Sequence, residues 1–212
     1  MKKSVLILLA VLLVVLIVGM SVFAAENETL NATIGKLFHG AAEEQAEAEI
    51  AATYGEISIE ASTVAYYRQI EESNQSNGTV RSEKEIIRDI VSNIVLKEEA
   101  ERHGLKASEE EIAEQLEIQK NMYAESEFAK KVVDDFCEGA GLSLDAYYEM
   151  IEEQLSDTIT RSNLYVYYAK IWCEEHGLKY EGHKHDERLQ SYVNAQIDEL
   201  LQKEWKRITY CD

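Results

Sequence analysis

Beyond residue 80, apolar residues recur at every third or fourth position, the spacing of helices that each bury one face. Ser82 and Glu85 form a capping box, in which each side chain takes the other residue's free backbone N–H. The helix it opens carries Ile86, Ile87, Ile90, Val91, Ile94 and Val95 and stops at His103-Gly104. Ser108 and Glu111 form a second box ahead of Ile112, Leu116 and Met122-Tyr123. A third helical stretch, Phe128 to Phe136, is expected to run out at Gly139-Ala140-Gly141 and turn back as a hairpin. The longest helix spans Leu144 to His176, roughly 50 Å at about 1.5 Å per residue. Its expected seam is Tyr148, Ile151, Leu155, Ile159, Ser162, Val166, Ala169 and Cys173, flanked by a row of Tyr165, Tyr168 and Trp172. Gly177 closes it, and a last helix follows through Tyr192, Val193, Ile197, Leu200 and Leu201.

The ends of this region alternate differently. Ile50 to Tyr54, then Gly55, then Glu56 to Ile59 reads as strand, turn, strand, with Ile57 and Ile59 on one face. Ser62 is expected to cap a helix carrying Val64, Tyr67 and Ile70, which ends in the polar cluster from Ser73 to Gly78. Arg207-Ile208-Thr209-Tyr210 reads as a strand, and a strand does not stand alone, so it is expected to pair with the Ile50 or the Ile57 segment. The predicted class is therefore mainly α: a multi-helix domain whose small two- or three-stranded β element joins its N- and C-terminal ends, preceded by an N-terminal signal or anchor helix.

Lys2 and Lys3 precede an uncharged run from Ser4 to Ala25, and Val22-Phe23-Ala24 offers small residues for a signal-peptidase cut. At roughly 20 residues per bilayer crossing the run is also long enough to stay as an anchor, and both outcomes remain open. The expected division is a signal peptide or membrane anchor over 1–25, a linker over 26–48 rich in Ala, Glu, Asn and Thr, and a helical domain over 49–212. The expected location is exported, anchored to or released from the outer face of the cytoplasmic membrane, with residues 4–25 the membrane contact if uncleaved.

Charge narrows the partners. With 40 Asp and Glu against 21 Lys and Arg the net charge is -19, the opposite of the clustered cations that phosphate backbones select, so no nucleic-acid partner is expected. Proline is absent, which suits long uninterrupted helices. Cys137, Cys173 and Cys211 are odd in number and too few for a disulfide framework; they are expected mainly as small apolar fillers, although export would let one pair oxidise.

The chain lacks GxGxxG, GxxxxGK[ST], HExxH, GxSxG and CxxC, so no catalytic residue, cofactor or metal is expected. His183 and His185, with His176 and Asp186 nearby, form a hydrophilic bridge without a cysteine partner and read as solvated. Glu109-Glu110-Glu111 and Glu152-Glu153 sit at a helix start or on an exposed face, where they serve macrodipole and solubility.

Tyrosine is the surplus aromatic, 12 against 4 Phe and 2 Trp. Tyr66-Tyr67, Tyr147-Tyr148 and Tyr165, Tyr167, Tyr168 are clustered, so neighbours in sequence point to different sides of a helix and cannot all face one seam. Flat rings with a polar tip suit adaptable contacts to peptides; the alternative for each is a core tyrosine whose hydroxyl reaches water at the edge. The residues expected to touch a peptide are Met122, Tyr123, Tyr147, Met150, Tyr165, Tyr168 and Trp172.

Two segments carry a family likeness. Ile50-Ala51-Ala52-Thr53-Tyr54-Gly55-Glu56-Ile57-Ser58-Ile59 resembles the A-x-V-N-G-x-x-I-T opening of SurA/PrsA-type extracytoplasmic chaperones. Ile94 to Ile112, reading IVLKEEAERHGLKASEEEI, resembles that family's L-x-x-E-A-x-x-x-G-L-x-V-S-x-E-E-I helix-turn-helix. The likeness covers roughly residues 49 to 176 and, less clearly, the last helix and strand. It implies a SurA N-terminal-like domain that holds unfolded or exported polypeptides, with the last helix and strand folded back onto the first strand. Many relatives carry a parvulin prolyl isomerase domain between the long and the last helix. Here only Gly177 to Asp186 lie between them, with 181–186 as the short loop in its place, so the expectation is a holdase without catalysis. The alternatives are a membrane-anchored helical module with one dedicated protein partner, or an isomerase by family name only. One internal echo, His103-Gly104-Leu105-Lys106 and His176-Gly177-Leu178-Lys179, reads either as two similar glycine caps or as a duplication.

Overall fold

A computed structural model describes Lys36 and residues 49–73, 80–182 and 186–211. The expected signal or anchor over 1–25, almost all of the 26–48 linker, the loop from residue 74 to 79 and the His183 and His185 bridge lie outside the described residues. In chain order the elements are β1 (Ile50–Tyr54), β2 (Ile57–Glu60), α1 (Ala61–Ser73), α2 (Glu83–Arg102), α3 (Glu109–Glu125), α4 (Glu127–Ala140), α5 (Leu144–Glu175), α6 (Glu187–Trp205) and β3 (Ile208–Tyr210). The fold is mainly helical with one small antiparallel sheet. No described helix is long and apolar enough to cross a membrane.

The sheet runs β2-β1-β3, so the terminal strand pairs with the Ile50 strand and not with the Ile57 strand. Thr53 faces Thr209 and Tyr54 faces Ile208, and the Cys211 N–H adds a further bond to the Ala51 carbonyl at 2.9 Å. Gly55 takes a positive φ of 61° in the turn from β1 to β2, as a two-residue hairpin loop asks of its first residue. Ile59 is buried, whereas Ile57, at the tip of the same face, reaches past the core and is exposed.

The main core gathers Ala52, Ile59, Val64, Ile86, Val91, Val95, Leu164, Ile197 and Leu201, from the sheet, α1, α2, the C-terminal half of α5 and α6. A smaller core of Ala107, Leu155 and Ile159, backed by Ile112, Leu116 and Ile151, docks α3 along the middle of α5. At 32 residues α5 is roughly 48 Å long. Only its C-terminal half lies in the main core; its N-terminal half, α3 and α4 form an arm.

Both expected capping boxes are present, at Ser82 with Glu85 and at Ser108 with Glu111. The two His-Gly segments end α2 and α5 alike. The Gly104 and Gly177 amides donate to Glu101 and Glu174, and the Leu105 and Leu178 amides reach back to the Ala100 and Cys173 carbonyls at 2.9 and 2.7 Å. These are Schellman ends, which need a left-handed residue after the cap, and both glycines have φ near 65°. Each histidine also lies against an α5 ring, His103 tilted on Tyr167 and His176 stacked on Trp172.

Two boundaries and one buried stripe differ from the sequence expectation. α1 begins at Ala61 directly after β2, with the Ala61 amide bonded to the Glu49 carbonyl at 2.8 Å, so Ser62 lies inside the helix and does not cap it. Gly139 belongs to α4, which is ended by Gly141 in the left-handed conformation. The buried stripe of α5 includes Thr160, Leu164 and Trp172, and leaves Ser162 and Val166 half-buried. Different helices cover its two halves, so no single seam runs the length of the rod.

Candidate functional site

The arm is held on α5 by polar contacts as well as by its small core. In the link from α2 to α3 the Leu105 carbonyl accepts from Asn163 Nδ2 at 3.1 Å, and the Ala107 amide donates to Thr160 Oγ1 at 3.0 Å. Thr160 is 1% exposed, so this hydroxyl is the Ala107 amide's substitute for water. Beyond Glu125 the chain reverses at one residue. Ser126 ends α3, with its amide on the Met122 carbonyl at 3.0 Å, and starts α4, with its hydroxyl accepting from the Ala129 amide at 3.2 Å. Leu142 and Ser143 then return the chain into α5, and the Ser143 hydroxyl caps it at the Ala146 amide.

This hairpin encloses a hollow of about 40 Å³, lined by Gln119, Met122 and Tyr123 of α3, Ala129, Val132 and Val133 of α4, and Tyr147 and Tyr148 of α5. The rings meet edge to face: Tyr123 and Tyr148 at 6.5 Å, Tyr147 and Tyr148 at 5.5 Å, and Phe136 and Tyr147 at 5.9 Å between centroids. Lys120 lies over the Tyr148 ring at 5.1 Å, and the Tyr123 hydroxyl donates to Asp134 Oδ1 at 2.8 Å, tying α3 to α4. Burial pushes the Tyr147 hydroxyl up to about 12, and raises Tyr148 and the Cys137 thiol above their ordinary values. For Tyr123 the bond to Asp134 is the leading cause of the same direction. All three tyrosines are therefore neutral donors at neutral pH, and the thiol beside them stays protonated.

A space of about 40 Å³ holds one small group. A larger side chain enters only if α4 shifts, and α4 packs on α5 much less extensively than α3 does. Met122, with its flexible unbranched chain, and the flat tyrosine faces can re-pack around what enters.

The seven residues expected to touch a peptide fall into separate places. Met122, Tyr123 and Tyr147 come together in the hollow. Met150 is half-buried one turn farther along α5 and is not part of the lining. Tyr165, Tyr168 and Trp172 belong to the other half of α5, and Trp172 lies roughly 37 Å from Tyr147 at about 1.5 Å per residue. Tyr165 is exposed and Tyr168 is half-buried. Trp172 is 6% exposed and covered by the His176 ring at 4.2 Å and the Arg188 guanidinium at 5.9 Å. Val132, Val133 and Gln119 complete the lining although the sequence did not mark them; the signal for the valines was their place one turn beyond Ala129 on the same helix.

A larger open groove, about 740 Å³, lies where α1 meets α2, lined by Arg68, Val80, Arg81 and the start of α2. It borders residues outside the described set, and its arginines are taken up: Arg68 by Glu72 and Glu83, each at 3.1 Å, and Arg81 by Glu71 and Asp89. Among the described residues no three of His, Cys, Asp and Glu come together to hold a metal ion. No protein-family model, curated protein or solved structure matches this chain.

Proposed function

We propose that this chain is an extracytoplasmic holdase of the SurA N-terminal-like kind, which binds unfolded or exported polypeptides reversibly and performs no covalent chemistry. The observation that carries the reading is the arm, where Met122, Tyr123, Tyr147 and Tyr148 converge on a hollow closed by the lightly packed α4. Such a lining favours apolar and aromatic side chains without demanding one sequence. The charge of -19 keeps a loaded complex soluble. Export, with residues 1–25 as cleaved leader or retained anchor, rests on the Lys2-Lys3 start and the uncharged run behind it.

The test is aggregation of an unfolded exported protein at several-fold excess of the purified chain. Slowed aggregation that weakens in Met122→Glu, with the helical circular dichroism unchanged, supports the reading. No slowing by the unaltered chain overturns it. Capture of a single stoichiometric partner from envelope extract, in place of a varied set, would favour a dedicated interaction module.

A further inference from the structure

The lining of the arm hollow is apolar except for Gln119 and the tyrosine hydroxyls, and these polar groups are unequally committed. The Tyr123 hydroxyl is taken by Asp134 Oδ1 at 2.8 Å. The Tyr147 hydroxyl and the Gln119 carboxamide have no hydrogen-bond partner among the described residues.

For Tyr147 this is an unfavourable arrangement. Burial pushes its hydroxyl up to about 12, so the group is a desolvated donor that keeps its proton. Its ring is held in place, meeting Tyr148 at 5.5 Å and Phe136 at 5.9 Å between centroids. The group is not sealed: the Tyr210 hydroxyl is both unpartnered and closed off from solvent, whereas that of Tyr147 stays within reach. Tyr147 thus presents a pre-positioned donor in the wall of a hollow, and an occupant of that hollow supplies the acceptor.

Charge and chemistry narrow the occupant. Asp134 stands on the adjoining Tyr123 and the whole chain carries -19, so a neutral carbonyl is favoured over a carboxylate. Gln119 suits the same occupant, because a carboxamide both donates and accepts and so matches a backbone that carries both groups. In a folded chain those groups are already paired, in helices and sheets by the backbone itself. In an unfolded stretch they are free.

We propose that Tyr147 is a specificity-determining residue of the arm hollow, its hydroxyl donating to an unpaired backbone carbonyl next to the apolar side chain that enters past Met122. This rests on the holdase reading of the arm. It adds the means by which an unfolded stretch is told from a folded one that shows the same apolar side chain.

The experiment measures fluorescence anisotropy of a peptide of serines and glycines around a single leucine, capped at both ends and labelled with a neutral fluorophore. The peptide is titrated with the purified chain. Sulfur in place of oxygen at a carbonyl gives a poorer acceptor of nearly the same shape. Placed at one of the two carbonyls flanking the leucine, it is expected to weaken binding about threefold to tenfold, on the scale of one neutral hydrogen bond. At a remote serine carbonyl it is expected to change nothing. In Tyr147→Phe, which keeps the ring, the parent peptide weakens by a similar factor and the sensitivity to sulfur disappears, a loss that a purely structural role would not produce. The proposal is overturned if sulfur at neither flanking carbonyl matters, or if its effect survives in Tyr147→Phe. When Met122→Glu weakens the peptide in that case, the arm stands as the client site and only the role of Tyr147 falls. Absence of binding, or binding that Met122→Glu leaves unchanged, overturns both. The sulfur comparison on the unaltered chain needs no variant, so a folding defect in Tyr147→Phe leaves the test decisive.

Discussion

The Tyr54 hydroxyl donates to Glu204 Oε2 at 2.6 Å, joining β1 to the end of α6 across 150 residues of sequence. Arg207 completes the set, bonded to the same carboxylate oxygen and lying over the Tyr54 ring at 5.0 Å. Glu204 is 7% exposed, so these partners replace the water its charge would otherwise keep. The group closes the domain where its first and last strands meet.

Its pH dependence has two opposite signs. Burial, then the bond to Glu204, pushes the Tyr54 hydroxyl from 10.0 up to about 12. The fold thus favours the protonated tyrosine, and this stability is present below pH 10 and lost as pH rises toward 12, by an amount on the order of 2 to 3 kcal/mol. Glu204 is held below its ordinary range, first by Tyr54 and then by Arg207, so its contribution is present above pH 4.5 and is lost as the pH falls through its lowered value. Urea unfolding across pH is expected to show both declines. Tyr54→Phe removes the alkaline decline at this site and costs about 1 to 3 kcal/mol at neutral pH. An unchanged alkaline limb in that variant would place the titration elsewhere.

Thr160 gives a second prediction. Thr160→Val keeps the shape but leaves the Ala107 amide buried without an acceptor, at a cost of about 1 to 3 kcal/mol. Thr160→Ser keeps the hydroxyl and is expected to lose less. The local readout is hydrogen exchange at the Ala107 amide, which speeds up in the valine variant before the rest of α3 does.

Two glycines are expected to answer alanine with opposite signs. Gly177 has φ 64° and open space where a Cβ would sit, so Gly177→Ala is opposed by backbone strain alone, about 1 kcal/mol. Gly139 lies inside α4 in ordinary helical geometry, and Gly139→Ala is expected to stabilise by about 0.5 to 1 kcal/mol. Thermal unfolding of the two variants side by side checks both signs.

The difference between these glycines shows where sequence reading stops. Capping boxes and the His-Gly ends are local chemistry within a few residues, so α2, α3 and both ends of α5 were legible within one or two positions. Gly139 and Gly141 have the same residue name, and only the hydrogen bond from Leu142 to Cys137 decides which one closes α4. The sheet's small size and the return of the last strand were legible, because an isolated strand has to pair; the choice of β1 over β2 was not, since both offered an apolar edge. For the site, clustered tyrosines signalled that some face outward, but the periodicity of α5 is the same at Tyr147 and at Trp172. What separates them is which helices lie against each half. Tyr54 with Glu204, and Thr160 with Ala107, have no signature at all, being pairs brought together only by the finished fold.

Cysteine chemistry supplies the last prediction, a report on the arm. Cys137 is 8% exposed and lies within the electrostatic reach of Tyr147 and Tyr148, while Cys173 is buried at the far end of α5 and Cys211 is exposed beyond β3. All three are free thiols. Burial raises the thiols of Cys137 and Cys173, and a thiol reacts through its thiolate, so both are slow for two reasons, access and protonation. A thiol reagent at neutral pH is therefore expected to modify Cys211 first. Tyr147→Ala removes the ring that packs against Phe136 and frees α4 to lift, which should speed Cys137 at least tenfold while leaving Cys173 at its original rate. If both buried thiols accelerate together, the variant has loosened the whole domain, and α4 does not move as a separate flap. If Cys137 alone responds, an apolar peptide that enters the hollow should change its rate in the unaltered chain as well, since the same helix must shift to admit any side chain larger than the space now present.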